Sequence, residues 1–214
     1  RTRAGFSLAE LLVTLAVMGM VMAMTLANFP KIREKIYVTL AIRELALNVR
    51  KTQSFAIGVR VFDSTFAVNL CDSSYIPAMG QVKYPPYGIS FSKIVQSDGR
   101  NNRTYVIFGD IQCAITRALL KIYDYTYSPP EALLTIKMQP GAQISAIDGY
   151  VGATLTPLDA ADIVYQRPTP SVTLVGYSGG ASAIYQRIEI TLSSDSGVTT
   201  QKIILRPTGQ ISIQ

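Results

Sequence analysis

From Phe6 to Phe29 the chain is almost unbroken apolar sequence, FSLAELLVTLAVMGMVMAMTLANF, and no other stretch limits its folding options so severely. As a helix these residues span roughly 36 Å at about 1.5 Å per residue, enough to cross a hydrocarbon core about 30 Å thick. A secretory signal peptide has a shorter apolar region closed by a small-residue cleavage site. Here no A-x-A-like site follows, and FPKIREK simply continues the helical pattern. The small residues stand before the run, at Ala4-Gly5, directly after Arg1 and Arg3. Those arginines place the amino end in the cytoplasm by the positive-inside tendency, so the expectation is an anchor that crosses once. Glu10 conflicts with it, since an ionised carboxylate near the bilayer centre costs roughly 2.5–3.5 kcal/mol on insertion scales.

The order G-F-S-L-A-E followed by about twenty apolar residues resembles the class III leader junction of type IV pilins and type II secretion pseudopilins. The resemblance implies that prepilin peptidase cuts between Gly5 and Phe6, leaving residues 1–5 as leader, and that the new Phe6 amine is N-methylated. It implies that Glu10 meets the Phe6 amine of a neighbouring subunit as the chain enters a helical filament. The partners implied are other pilin or pseudopilin subunits, prepilin peptidase, the inner-membrane assembly platform and the membrane itself. The globular part would then lie in the periplasm or outside the cell. The physics is consistent, because a buried carboxylate is tolerable when paired, and a partner supplied by the next subunit couples burial to assembly. The plainer reading is an acid near a helix end, snorkelling to the interface. The chain has no initiator Met, so a leader longer than five residues is expected.

The remaining length allows a single globular domain of ordinary size. Formal charge is +6, and loss of Arg1 and Arg3 leaves the mature side chains at +4, with 18 basic against 14 acidic residues. That balance permits binding to acidic surfaces or nucleic acid without indicating either. Histidine is absent, which removes the commonest general base and the commonest metal ligand. No cofactor or metal site is expected, and an enzyme is not. Cys71 and Cys113 fall in the part placed outside the cytoplasm, where disulfides persist. If paired, they close a loop of about 43 residues, worth roughly 4 kcal/mol in the chain-entropy model; two free buried thiols are the alternative.

Beyond Pro30 the pattern becomes amphipathic. Ile32, Ile36 and Leu40, then Ile42, Leu45, Val49 and Ala56, recur at helical spacing, with charged residues on other faces. Pro30 should kink or locally melt the rod, and Gly58 should stop it. The division expected is a helix over 6–58, transmembrane to 29 and amphipathic from 30, then a β-rich domain over 59–214. From Val59 the apolar period changes to two. VRVFDSTFAVNL, the pair GISFSKIVQ and RTYVIFGD around SDGRNN, ALLKIYDYTY, ALLTIKMQ, AIYQRIEITL, VTTQKIILR and QISIQ all read as strands. In AIYQRIEITL, Ile184, Ile188, Ile190 and Leu192 should face inward and Arg187, Glu189 and Thr191 outward. The stretch from about Gly149 to Gly180 reads as loop-rich. The fold class is therefore α+β: a long amino-terminal helix followed by an antiparallel, strand-rich domain.

Within the pilin-like superfamily, TLAIRELALNVRKTQSFAIGVRVF resembles the late helix and first strand of H-type minor pseudopilins and T-type minor fimbrial pilins. The closing KIILRPTGQISI resembles that group's final hairpin around a glycine. A structural subunit of a secretion pseudopilus or type IV pilus is the function this implies. A minor pilin at a filament tip that captures DNA is the rival, resting on Arg100, Arg103, Arg117, Lys121, Arg167, Arg187, Lys202 and Arg206. These cations form no dense run with interleaved aromatics, apart from RALLKIYDY, so solvated faces explain them better.

Three motif matches dissolve on inspection. GYSGG at Gly176–Gly180 has the G-x-S-x-G form, but that elbow needs a following helix and a histidine. SFSK at Ser90–Lys93 has the S-x-x-K form, but alternation puts it in a strand, where Ser90 and Lys93 point to opposite faces. SDGRNN with Asp110 offers oxygen ligands, yet the spacing is not that of an EF-hand and a hairpin turn suits it better. Asn102 opens a glycosylation sequon in form, N-R-T, whose meaning depends on the host.

Overall fold

The computed structural model describes residues 7–58, 85–110, 121–124, 131–166 and 172–214. One helix, α1 (Leu8–Ile57), precedes eleven strands. These are β1 (Tyr87–Ser92), β2 (Thr104–Gly109), β3 (Ala132–Lys137), β4 (Ala142–Val151), β5 (Thr154–Leu158), β6 (Ala160–Tyr165), β7 (Val172–Ser178), β8 (Ala181–Ile184), β9 (Arg187–Ser194), β10 (Thr200–Leu205) and β11 (Ile211–Ile213). They form a six-stranded sheet, β3-β2-β1-β6-β7-β8, and a five-stranded sheet, β11-β10-β9-β4-β5. Every described pairing is antiparallel. A long helix followed by antiparallel sheets is the α+β layout expected from the sequence.

Alternation explains which side chains enter the core. On β1, Tyr87, Ile89 and Phe91 face inward; on β9, Ile188, Ile190 and Leu192 do so. From the helix, Val38, Ala41, Ile42, Leu45, Ala46 and Val49 join the same cluster. Their spacing of three and four keeps them on one face, so the helix seals the space between the sheets. Polar contacts fix its register: Glu34 accepts from Ser196 at 2.6 Å, Gln201 donates to Thr39 at 3.3 Å, and Asn48 donates to the Tyr105 hydroxyl at 2.7 Å. Burial pushes the Tyr105 phenol up to about 12.

Several expectations are corrected. Ile32, Ile36 and Leu40 do not enter the core and stay about half exposed, at 56, 51 and 49%. The buried stripe begins at Val38 and runs on through Ile42, Leu45, Val49 and Ala56, the later residues of the expected pattern. Helix continues through Pro30 without melting; the proline forfeits one backbone bond, while the flanking turns keep theirs. The stretch 149–180 is strand-rich where described, with β5, β6, β7 and the end of β4. Its glycines sit at turns, as Gly152, Gly179 and Gly180 do, or where Tyr185 packs closely, as at Gly149 and Gly176. Ile184 belongs to β8, not to the strand of Ile188, and is 70% exposed. Tyr185 and Gln186 break the apparent continuity, because the chain there passes from one sheet to the other. Within ALLKIYDYTY, residues 121–124 form no strand, and Lys121 has a φ of 58°. VRVFDSTFAVNL, Cys71 and Cys113 lie outside the described residues.

Candidate functional site

Ser7 opens α1 in an extended conformation, φ −75° and ψ 149°. Its hydroxyl accepts the Glu10 backbone N–H at 3.2 Å, and Glu10 Oε2 accepts the Ser7 backbone N–H at 3.1 Å. This is a capping box, which satisfies two backbone donors at a helix end that would otherwise lack partners. The carboxylate also lies in the first turn, where the partial positive charge of the helix end favours an acid by about 0.3–1 kcal/mol. Both effects offset part of the cost of Glu10 beside the apolar run. Snorkelling and pairing with a neighbour were the two readings the sequence suggested. The local reading, with Ser7 as Glu10's partner, was missed, although Ser7-x-x-Glu10 carries its S-x-x-E signature. The cap uses one hydrogen bond of a group with about four acceptor positions, so a second donor is compatible with it. Gly5 and Phe6 lie outside the described residues.

Behind Glu10 the helix stands clear of the domain. Its apolar window has a mean hydropathy of 2.0 and none of it is buried against the rest of the chain, so it is long and apolar enough to cross a membrane. Its polar side chains turn onto their own backbone. Thr14 and Thr25 donate to the carbonyls of Leu11 and Met22, each at 2.9 Å, and Asn28 donates to that of Met24 at 3.2 Å. Such internal bonding satisfies both threonine hydroxyls and one of the two Asn28 N–H groups without water. Past Phe29 the exposed apolar surface continues as Ile32, Ile36, Leu40 and Leu47, on the side of α1 away from the core.

The motif matches end differently. Tyr177 and Ser178 close β7, and Gly179-Gly180 turn directly into β8, so GYSGG precedes a strand and not a helix. Ser90 faces away from the main core within β1 and takes the Arg100 guanidinium. SDGRNN forms the β1–β2 turn, with Asp98 Oδ2 2.6 Å from Arg100 Nε. Among the described residues no group of three or more acidic, cysteine or histidine side chains could hold a metal ion. The cations named for DNA are dispersed and several are engaged. Arg103 pairs with Asp195 at 2.8 Å, and Arg187 and Lys202 flank Glu189 at 3.2 and 3.4 Å. Arg117 and Arg167 fall outside the described residues.

Residues 1–26 match the family model of the prokaryotic N-terminal methylation motif. That match supports a type IV pilin-like chain and covers the anchor, not the β-rich domain. No curated protein and no solved structure matches the chain.

Proposed function

We propose that this chain is a structural subunit of a type II secretion pseudopilus or a type IV pilus, of the H-type or T-type minor class. Prepilin peptidase cuts after Gly5, the Phe6 amine is methylated, and the chain waits in the inner membrane, amino end inside, with its domain in the periplasm. It enters the filament through α1. One observation carries the reading: under a methylation motif, the first half of a 50-residue helix stands free of its own domain, with one acid at its start. An apolar surface of that length needs lipid before assembly and other helices after it. In the filament the Glu10 carboxylate pairs with the Phe6 amine of the next subunit, in a low-dielectric bundle where an unpaired charge is costly.

The capping box makes the test sharper. Glutamine serves a capping box as well as glutamate does, but it carries no charge. If Glu10 only caps the helix, Glu10→Gln assembles normally and Glu10→Ala does so nearly. If Glu10 pairs with an amine, both variants are cleaved and inserted normally, and both fail to enter filaments. Membrane-bound and filament-bound subunit are quantified for each, and normal assembly of both would sink the pairing. A Gly5→Val variant should accumulate uncleaved, and processing at Gly5–Phe6 despite the change would refute the junction.

A further inference from the structure

The apolar run of α1 ends at Phe29, and the helix continues past it without a break. Glu34 follows five residues on, about 7.5 Å of rise at about 1.5 Å per residue. Headgroups add about 5–8 Å to each side of a hydrocarbon core, so Glu34 stands level with their outer limit when Phe29 marks the core's edge. There the helix meets the β9–β10 turn. Ser196 Oγ donates to Glu34 Oε2 at 2.6 Å, and the Val198 N–H donates to Ser196 Oγ at 3.3 Å. Gln201, further along the hairpin, reaches Thr39 instead, five residues beyond Glu34 on the helix. The turn is therefore the part of this hairpin nearest the membrane. Ser194 and Thr199 close it through a backbone bond of 2.9 Å, and Arg103 pins it from the side, 2.8 Å from Asp195.

The chemistry of this end suits a lipid surface. Val198 is an apolar tip, 76% exposed. Lys31, Arg33 and Lys35 are exposed on α1 between the apolar run and the turn. The acids beside them are occupied, Glu34 by the Ser196 hydroxyl and Asp195 by Arg103. The three helix cations have no acidic partner among the described residues. We propose that the β9–β10 turn rests on the membrane, with Val198 in the headgroup layer and Lys31, Arg33 and Lys35 on the phosphates of anionic lipids around it. Cations near such a surface are drawn to its negative potential, and their long stems let the charged ends reach back to the phosphates. A turn held down beside the anchor fixes the tilt of the domain on the bilayer. The inference rests on α1 as a membrane anchor and goes beyond it, since an anchor alone leaves the turn in water.

The test uses the unmodified full chain in nanodiscs of phosphatidylglycerol and phosphatidylcholine, with valine, isoleucine and methionine methyls labelled for NMR. A nitroxide on the lipid headgroup should broaden the Val198 methyls several-fold more than those of Ile184. Ile184 is the reference because it is 70% exposed and lies beyond the far end of β9, whose 8 residues span about 24 Å at about 3.4 Å each. Met18, in the middle of the apolar run, should broaden with a nitroxide deep in the acyl chain, which tests the anchor separately. Lys31→Gln, Arg33→Gln and Lys35→Gln together should reduce the Val198 effect about twofold or more and leave Met18 unchanged. Melting curves verify that this variant folds. Equal broadening of Val198 and Ile184, with Met18 among the acyl chains, would overturn the proposal and leave the anchor standing. Met18 outside the acyl chains would overturn both. Undiminished broadening of Val198 in the triple variant would overturn the proposal by removing the cations from the contact.

Discussion

Tyr185 lies against Gly149 so closely that a Cβ added at Gly149 would sit 2.5 Å from the ring. Gly149 belongs to β4 and Tyr185 follows β8, so the pair joins the two sheets where the chain crosses between them. Gly176 of β7 approaches the same ring from the other sheet, a built Cβ standing 2.6 Å away and 2.4 Å from Leu158. Gly149→Ala should therefore destabilise by about 1–3 kcal/mol, the usual range for overpacking. The cost should shrink in a Tyr185→Ala background, because the clashing ring is gone. A denaturant-melt double-mutant cycle checks this, and additive effects would deny the contact.

Ser7→Ala should fray the first turn of α1 by about 1 kcal/mol and leave the domain's melting unchanged. Faster exchange of the Glu10 and Leu11 amides in micelles would report it. Their backbone bonds both run to Ser7, one to its hydroxyl and one to its carbonyl.

Leu45 and Leu40 sit on opposite sides of one helix, fully buried and 49% exposed respectively. Leu45→Ala should cost about 2–5 kcal/mol in unfolding measurements. Leu40→Ala should stay within about 0.5 kcal/mol for the isolated subunit. On the proposed function, Leu40→Ala should nevertheless lower the filament-bound fraction, since its stripe continues the apolar surface of the anchor.

Asp110 gives the domain a pH dependence of unusual sign. Burial, then the neighbouring Glu131, pushes its carboxyl from the ordinary 3.8 up to about 8. Between these values the folded chain keeps a proton that the unfolded chain has released, so stability falls as pH rises through that window. The slope should reach at most about 1.4 kcal/mol per pH unit. Asp110→Asn mimics the protonated form and should flatten it. Denaturant midpoints at about pH 5 and about pH 8, compared with and without the substitution, decide the matter.

The anchor and much of the strand pattern were legible because each depends on local sequence. A run from Phe6 to Phe29 has few alternatives to a helix, and the β1–β2 and β9–β10 hairpins show period-two alternation around marked turns. Even the capping box could be read from Ser7 and Glu10, three residues apart. What the sequence could not settle was which of two apolar stripes on α1 meets the domain. Ile32, Ile36 and Leu40 are as regularly spaced as Val38, Ile42 and Leu45, and periodicity carries no information on what covers a face. The sheets decided it, through the phase of their inward side chains. The same holds for Gly149, Gly176 and Asp162. Their neighbours, Tyr185, Tyr177 and Arg100, come from other strands and loops, so the room for a ring and the buried setting of Asp162 arise only when those strands pair.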